Sequence, residues 1–381
     1  MSIGERMVGK RICICAGSGG VGKTTTAAAV ALGLAAEGRR VALVTIDPAR
    51  RLAQSLGLEQ MGNTPRLVEP AHFAGEGIEM RGELWAMMLD PKRTFDELID
   101  ALAPDAATRE AILANRIYQE LSGAVAGSQE FTAVAKLYEL DASDRFDAIV
   151  LDTPPSRNAM DFLDAPDRLT GFLQGRALKM ITAPTGGAAA IAARGSGLVF
   201  SALRRITGVD LLADLSAFFG VLGGVIDGFS ERANAVSRLL GDPATTFLIV
   251  TSPEPTSVEE AIFLRRRLDQ ADMPVGGFVV NRVRMLARNP PTVDESALTA
   301  ELDGDDRLAA RSMRALEDLR ALARRDAAGL RHLSSEFADE RPILVPQLDG
   351  GVSGVAGLVA VQRILFASRR ARSALLAEHA F

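Results

Sequence analysis

The sequence predicts an α/β protein with a doubly wound, largely parallel sheet and an inserted helical subdomain. Three observations lead to it. Short β-rich runs, "RICICAG", "RVALVTID", "LWAMMLD", "FDAIVLDTPP", "TTFLIVTSPE", "VGGFVVNRV" and "RPILVPQLD", each end in a polar or glycine-rich turn. Helical patterns lie between them, notably "SVEEAIFLRRRLDQAD" and "RLAARSMRALEDLRALARRD". Two stretches, about 92–142 and about 162–242, break the alternation with helical character and without convincing strand signals. They are expected to form one helical subdomain inserted into a single domain spanning residues 1–381.

The first unit of the alternation is strand, loop, helix. "RICIC" is β-rich, and "TTTAAAVALGLAAEG" is helical in composition and stops at Gly38. Between them, Gly17-Ser18-Gly19-Gly20-Val21-Gly22-Lys23-Thr24 fits G-x-x-x-x-G-K-[ST], whose backbone N–H groups wrap nucleotide phosphates. The predicted fold is therefore that of a P-loop NTPase. Gly19, Gly20, Val21, Gly22, Lys23, Thr24 and Thr25 are the predicted ATP-binding residues of the loop and helix start. The helix adds its positive dipole end, Lys23 reaches the β- and γ-phosphate oxygens, and the Thr24 hydroxyl ligates Mg²⁺.

The second strand ends at Asp47, placed where a carboxylate can orient or deprotonate the water that attacks the γ-phosphate. Asp47 and Lys23 are the predicted catalytic pair. "FDAIVLDTPPSRNAMDFL" ends a strand in Asp152, which holds Mg²⁺ through its water shell, and Thr153 to Asn158 form a phosphate-sensing loop stiffened by two prolines. Asn281 in "VVNRV" and Pro346 in "LVPQL" end late strands. An asparagine amide there matches the donor and acceptor edge of adenine.

Hydrophobic residues make up 48% of the chain, enough for a substantial core, and the net charge of −5 gives no global electrostatic reason to expect nucleic-acid binding. No signal-peptide or membrane-spanning stretch is read, since "LSAFFGVLGGVI" falls well short of a span. The expected location is the cytoplasm, peripheral to the membrane at most. Cys13 and Cys15 share one strand and are expected to be buried and reduced, on opposite faces.

Gly-Ser-Gly-Gly-Val-Gly-Lys-Thr-Thr, Asp-Pro-Ala-Arg-Arg-Leu, Leu-Asp-Thr-Pro-Pro-Ser-Arg-Asn and Val-Val-Asn-Arg together resemble the ArsA family of ATPases over nearly the whole chain. That family includes arsenical-pump ATPases and the ATPases that target tail-anchored proteins. The resemblance implies ATP hydrolysis with Mg²⁺, a nucleotide-gated homo- or heterodimer, and helical subdomains that form a hydrophobic groove for a client or membrane-protein partner. It carries Asp47 to switch I, Asp152 to switch II and Asn281 to adenine. Met180, Phe200, Phe218, Phe219 and Phe229, on glycine-interrupted helical stretches, would suit such a groove.

The chain also departs from the pattern. Ser18 stands where the family's loop carries a first lysine that reaches across the dimer to the partner's nucleotide. A serine cannot supply that charge, which points either to pairing with a lysine-bearing paralogue or to Arg157 as a local substitute. No C-x-x-C occurs, so neither a zinc-stapled dimer nor the arsenite-binding cysteine cluster is supported. The alternative is a surface-positioning ATPase of the ParA/MinD type, whose best support is "VQRILFASRRARSALLAEHAF" with Arg363, Arg369, Arg370 and Arg372. A ligase built on the same loop has no acceptor motif to support it.

Overall fold

The computed structural model describes residues 1–46, 50–116, 118–119, 128–153, 225–287, 293–303, 305–348 and 354–380. They fall into two compact units. The first comprises Met1–Met87, Asp144–Ala159 and Gly241–Phe381, and the second Met88–Ser143 and Met160–Leu240.

The first unit is an eight-stranded sheet. Its strands are β1 (Ile12–Ala16), β2 (Arg40–Thr45), β3 (Arg66–Leu67), β4 (Glu83–Met88), β5 (Ala148–Asp152), β6 (Thr245–Thr251), β7 (Val275–Val283) and β8 (Ile343–Pro346). The spatial order is β3-β4-β2-β5-β1-β6-β7-β8. From β2 to β8 every documented pairing is parallel, and only the short β3 runs antiparallel, against β4. β1, β5 and β6 are buried at every position, which explains their near-continuous apolar sequence: a parallel strand in the middle of such a sheet is covered on both faces.

Short helix α1 (Ile3–Arg6) precedes β1, and α2 (Lys23–Ala36) links β1 to β2. α2 ends as the sequence predicts, its C-cap Glu37 followed by Gly38 at φ 104. Its low amphipathicity follows from its place: it is buried along most of its length, against β1, β2 and β5 on one side and a late helix on the other. Also in this unit are α3 (Arg50–Ser55) and α4 (Ala71–Ala74).

The second unit contains α5 (Pro91–Leu102), α6 (Ala106–Ala114), α7 (Ser128–Ala142) and most of α8 (Ile226–Gly241). α5 packs on α6 and α7. Asp90 and Asp105 cap α5 and α6 through bonds to the N–H groups of Arg93 and Thr108. The buried Lys136 ammonium is neutralised by Glu97 at 3.1 Å and Glu139 at 2.9 Å, and Tyr118 donates its hydroxyl proton to Asp96 at 2.7 Å. Met180, Phe200, Phe218 and Phe219 lie outside the described residues, as does the side chain of Phe229.

The sheet unit closes with α9 (Pro255–Gln270), α10 (Glu295–Glu301), α11 (Asp306–Glu336), α12 (Gly354–Phe366) and α13 (Arg369–Glu378). α9 packs on β6 and β7, and α12 packs on α2. Since the chain winds outward from the centre in both directions, the usual right-handed crossovers place helices on both faces.

One expectation is corrected here, and one support of the surface-positioning alternative is weakened. Cys13 and Cys15 are two residues apart, and a strand repeats its facing every two residues, so they share a face. Their thiols hydrogen-bond, and with burial this pushes the Cys15 thiol well above its ordinary range. The C-terminal arginines do not form one free basic face. Arg372 is buried, donating from Nε to the Ile364 carbonyl at 3.0 Å and from Nη2 to that of Ala367 at 2.7 Å, so it closes the end of α12. Among the described residues no helix is long and apolar enough to cross a membrane.

Gly33 sits where α2 meets α12, and a Cβ there would overlap the Phe366 ring. Gly33→Ala is expected to lower stability by about 1–3 kcal/mol. The combined Gly33→Ala/Phe366→Ala variant should be less destabilised than the sum of the single changes, since the two share one contact, and thermal unfolding of the three variants measures this.

Candidate nucleotide site

Register assembles the site before any side chain is considered. Cys15 pairs with Asp152, and Asp152 with Thr45, so the carboxyl ends of β1, β5 and β2 stand level. β1 is flanked by a strand that belongs to the β2 side and by one that leads to β7. It therefore lies where the winding reverses, the point at which open α/β sheets bind ligands.

The glycine loop leaves β1 at this point. Gly17 has φ 154, and a Cβ on it would run into the Val250 carbonyl of β6, so only glycine allows the chain to leave the sheet this close to its neighbour. Gly22 is the N-cap of α2 in the left-handed region, at φ 95, with no side-chain cap bond. The first N–H groups of α2 are thus left to the loop rather than to a capping hydroxyl or carboxylate. Gly19 and Gly20 are exposed, Thr24 and Thr25 are half-buried at the helix start, and Val21 is buried beneath the loop.

Lys23 is buried to 6% exposure, and its Nζ donates to the Ser18 carbonyl at 2.8 Å. A lysine head inside its own loop is a cation placed for an anion. The Ser18 hydroxyl is buried and has no hydrogen-bond partner among the described residues, an orphaned donor on the same loop. A glycine-lined turn, an uncapped helix start, a buried ammonium and an unsatisfied hydroxyl together fit a phosphate chain.

Asp152 ends β5 at 1% exposure and accepts a hydrogen bond from the Thr45 hydroxyl at 2.9 Å. Thr153 donates its hydroxyl to the Cys15 carbonyl at 2.9 Å and fastens the start of the following segment to β1. Thr45 does not stand out in the sequence, and Thr153 is read there only as the first residue of the phosphate-sensing loop. The available signal was positional: in parallel neighbours, residues that close their strands together meet side by side.

Asn281 is buried near the end of β7 and donates from Nδ2 to the Val21 carbonyl at 2.9 Å, bringing a late strand onto the loop. Pro346 ends β8 in register with Val283, one strand further out and two residues beyond Asn281 along β7. Asp47, Arg157 and Asn158 lie outside the described residues. Among the described residues no cluster of three or more His, Cys, Asp or Glu side chains forms a metal cage.

Thr45→Val removes the hydroxyl that serves the Asp152 carboxylate while keeping the side-chain shape. A loss of about 1–3 kcal/mol of stability is expected, read as a lower urea midpoint at unchanged slope. An unchanged midpoint would show that the bond adds nothing to the folded state.

Comparison with known proteins agrees with this geometry. A family model described as anion-transporting ATPase matches residues 10–297. An ATPase ASNA1 homolog of Dictyostelium discoideum is 26% identical over 278 residues, covering 70% of each chain. An ATPase GET3 of Kluyveromyces lactis is 26% identical over 280 residues, again with 70% of each chain covered. An arsenical pump-driving ATPase of Acidiphilium multivorum is 35% identical over 166 residues, which are 42% of this chain and 26% of that protein. With three quarters of its length matched by one family model, and the glycine loop of that match folded between β1 and α2, the chain belongs to the ArsA family of anion-transporting ATPases.

Proposed function

We propose that this ATPase binds Mg·ATP on the loop from Gly17 to Thr25, hydrolyses it with Lys23 and Asp47, and uses the change of nucleotide state to control its hold on a hydrophobic client or membrane-protein partner. One observation carries the nucleotide part of this reading: the buried Lys23 ammonium turned into its own glycine loop, above an uncapped helix start. In place of the Ser18 carbonyl, Lys23 would take β- and γ-phosphate oxygens. Gly19, Gly20, Val21 and Gly22 contribute backbone, and Thr25 follows at the helix start. Thr24 directly and Asp152 through water are the residues that would hold Mg²⁺, which when bound draws charge from the phosphates.

In hydrolysis the water oxygen forms a bond to the γ-phosphorus while the bond to the β,γ-bridging oxygen breaks, and ADP leaves. Asp47 orients that water and accepts its proton. The Thr45 and Thr153 bonds support a switch starting at Asp152, since both tie the end of β5 to its neighbours. Loss of the γ-phosphate would then be felt by a segment whose root is fixed. The client part rests on the family resemblance and on the apolar, glycine-interrupted sequence around Phe218 and Phe219. The surface-positioning alternative loses part of its support with Arg372 buried.

Lys23→Ala is expected to abolish productive ATP binding, whereas Asp47→Asn should keep ATP and lower hydrolysis by about 10²-fold or more. Equilibrium binding and phosphate release measure the two separately. Wild-type hydrolysis by Asp47→Asn would reject its assignment.

Dimer-dependent hydrolysis without the first loop lysine is expected to be slow in the purified chain, faster beside a lysine-bearing paralogue, and partly restored by Ser18→Lys. Fast hydrolysis by the isolated wild type, lost in Arg157→Ala, would assign the missing charge to Arg157 instead.

A further inference from the structure

We propose that Asp326, on α11, is a positioning residue for the base of the nucleotide: it holds the irregular end of β7 and so sets Asn281 and Pro346 for adenine. The inference rests on reading those two residues as base contacts. Asn281 has the groups for that contact. Its Nδ2 donates to the Val21 carbonyl at 2.9 Å and its Oδ1 accepts the Arg282 N–H at 3.0 Å. An amide carries two N–H groups and two oxygen lone pairs, so one of each is left for a base edge. The protein partners also fix which end donates. Adenine offers a donor where guanine offers an acceptor, so an amide held in one orientation distinguishes them.

β7 departs from regular geometry at this point. It pairs with β8 at Val280↔Leu344, the register shifts, and pairing resumes at Val283↔Pro346. Asn281 and Arg282 thus stand on β7 where β8 has only Val345, the arrangement of a β-bulge. A regular strand would instead bring Arg282 level with Pro346, so the bulge decides how Asn281 and Pro346 lie to one another. Arg282 takes φ 60, a left-handed backbone that a residue other than glycine keeps only where its surroundings impose it.

The group that imposes it is on α11. Asp326 Oδ2 accepts the backbone N–H of Arg284, the residue after the bulge closes, at 3.0 Å and its Nη1 at 3.4 Å, while Oδ1 accepts Arg325 Nη2 at 3.3 Å. Of the buried residues of α11, Asp326 alone is charged. Burying a carboxylate carries a desolvation penalty that an apolar residue would avoid; what Asp326 supplies is direction, an acceptor for one backbone N–H at one place on the strand. The helix is a firm support for it. Gly329, one turn on, lies so close to the Pro253 carbonyl that a Cβ would overlap it, and the C-cap residue Phe337 meets Phe278 of β7 with ring centroids 5.4 Å apart. From Asp326 to Phe337 the helix rises about 16 Å, and from Phe278 to Arg284 the strand covers about 20 Å. The two lengths nearly match, so α11 meets β7 at its start and just past its end.

Calorimetry on the full chain compares ATP, GTP and tripolyphosphate, which has no base. Asp326→Asn keeps an acceptor for the Arg284 N–H and loses the charge, while Asp326→Ala removes both. ATP affinity is expected to fall about threefold in the first and about tenfold in the second, with tripolyphosphate affinity as in the wild type and the preference for ATP over GTP reduced in step. A purely structural role would weaken all three ligands alike, and that result, or wild-type ATP affinity in the folded variants, would overturn the proposal. Hydrogen exchange on the wild type requires no variant to fold: the Arg284 amide is expected to gain protection from ATP and not from tripolyphosphate, and equal protection by the two would also overturn it. A wild type that binds ATP and GTP equally would reject Asn281 and Pro346 as base contacts, and the role of Asp326 with them. One that binds neither ATP nor tripolyphosphate would reject the phosphate site itself.

Discussion

Hydrogen bonding of β1 on both of its edges is the constraint on which the nucleotide end depends. β5 and β6 run parallel to β1 in fixed register, so the carboxyl ends of all three come to one line. The glycine loop can then be short, because β1 delivers it already level with Asp152 and Thr45 and within reach of β6. Backbone pairing is insensitive to side-chain identity, so the arrangement tolerates broad substitution along the strands provided they stay apolar.

Polar groups near this line satisfy one another in a short chain of contacts. Thr45 serves Asp152, Thr153 serves the Cys15 carbonyl, Lys23 serves the Ser18 carbonyl and Asn281 serves the Val21 carbonyl. Three of these four acceptors are backbone carbonyls of β1 or of the loop. Side chains from α2 and β7 therefore hold the loop's path, and Thr153, just beyond β5, holds the end of β1 from which it leaves, which a glycine-rich backbone cannot do for itself because its intrinsic conformational preference is weak.

Legibility in the sequence followed the range of the interactions involved. The loop's place between β1 and α2 and the stop at Gly38 depend on neighbours a few residues away, and both lie where the sequence predicts them. The strands were readable because burial on both faces leaves unbroken apolar runs. Thr45 and the double engagement of Asn281 were hidden: each depends on a partner more than a hundred residues distant, and the amide's role changes with what lies opposite it. The facing of Cys13 and Cys15 was misjudged although the two-residue period of a strand determines it. The length of α11, 31 residues, exceeded the recognised pattern because its outer positions are solvated and lack a strong apolar stripe.

Asn281 and Val21 are 260 positions apart in the sequence, and Arg6 likewise reaches forward to the carbonyls of Gly276 and Arg341. During translation the glycine loop leaves the ribosome long before the strand that shapes it. The nascent chain must therefore hold an unfinished sheet, with one edge of apolar β1 unpaired, until β6 and β7 have emerged. Affinity for nucleotide would be acquired late and in one step, so ligand retention would report that synthesis has passed β7. Protection from aggregation before that point would have to come from chaperones rather than from the ligand.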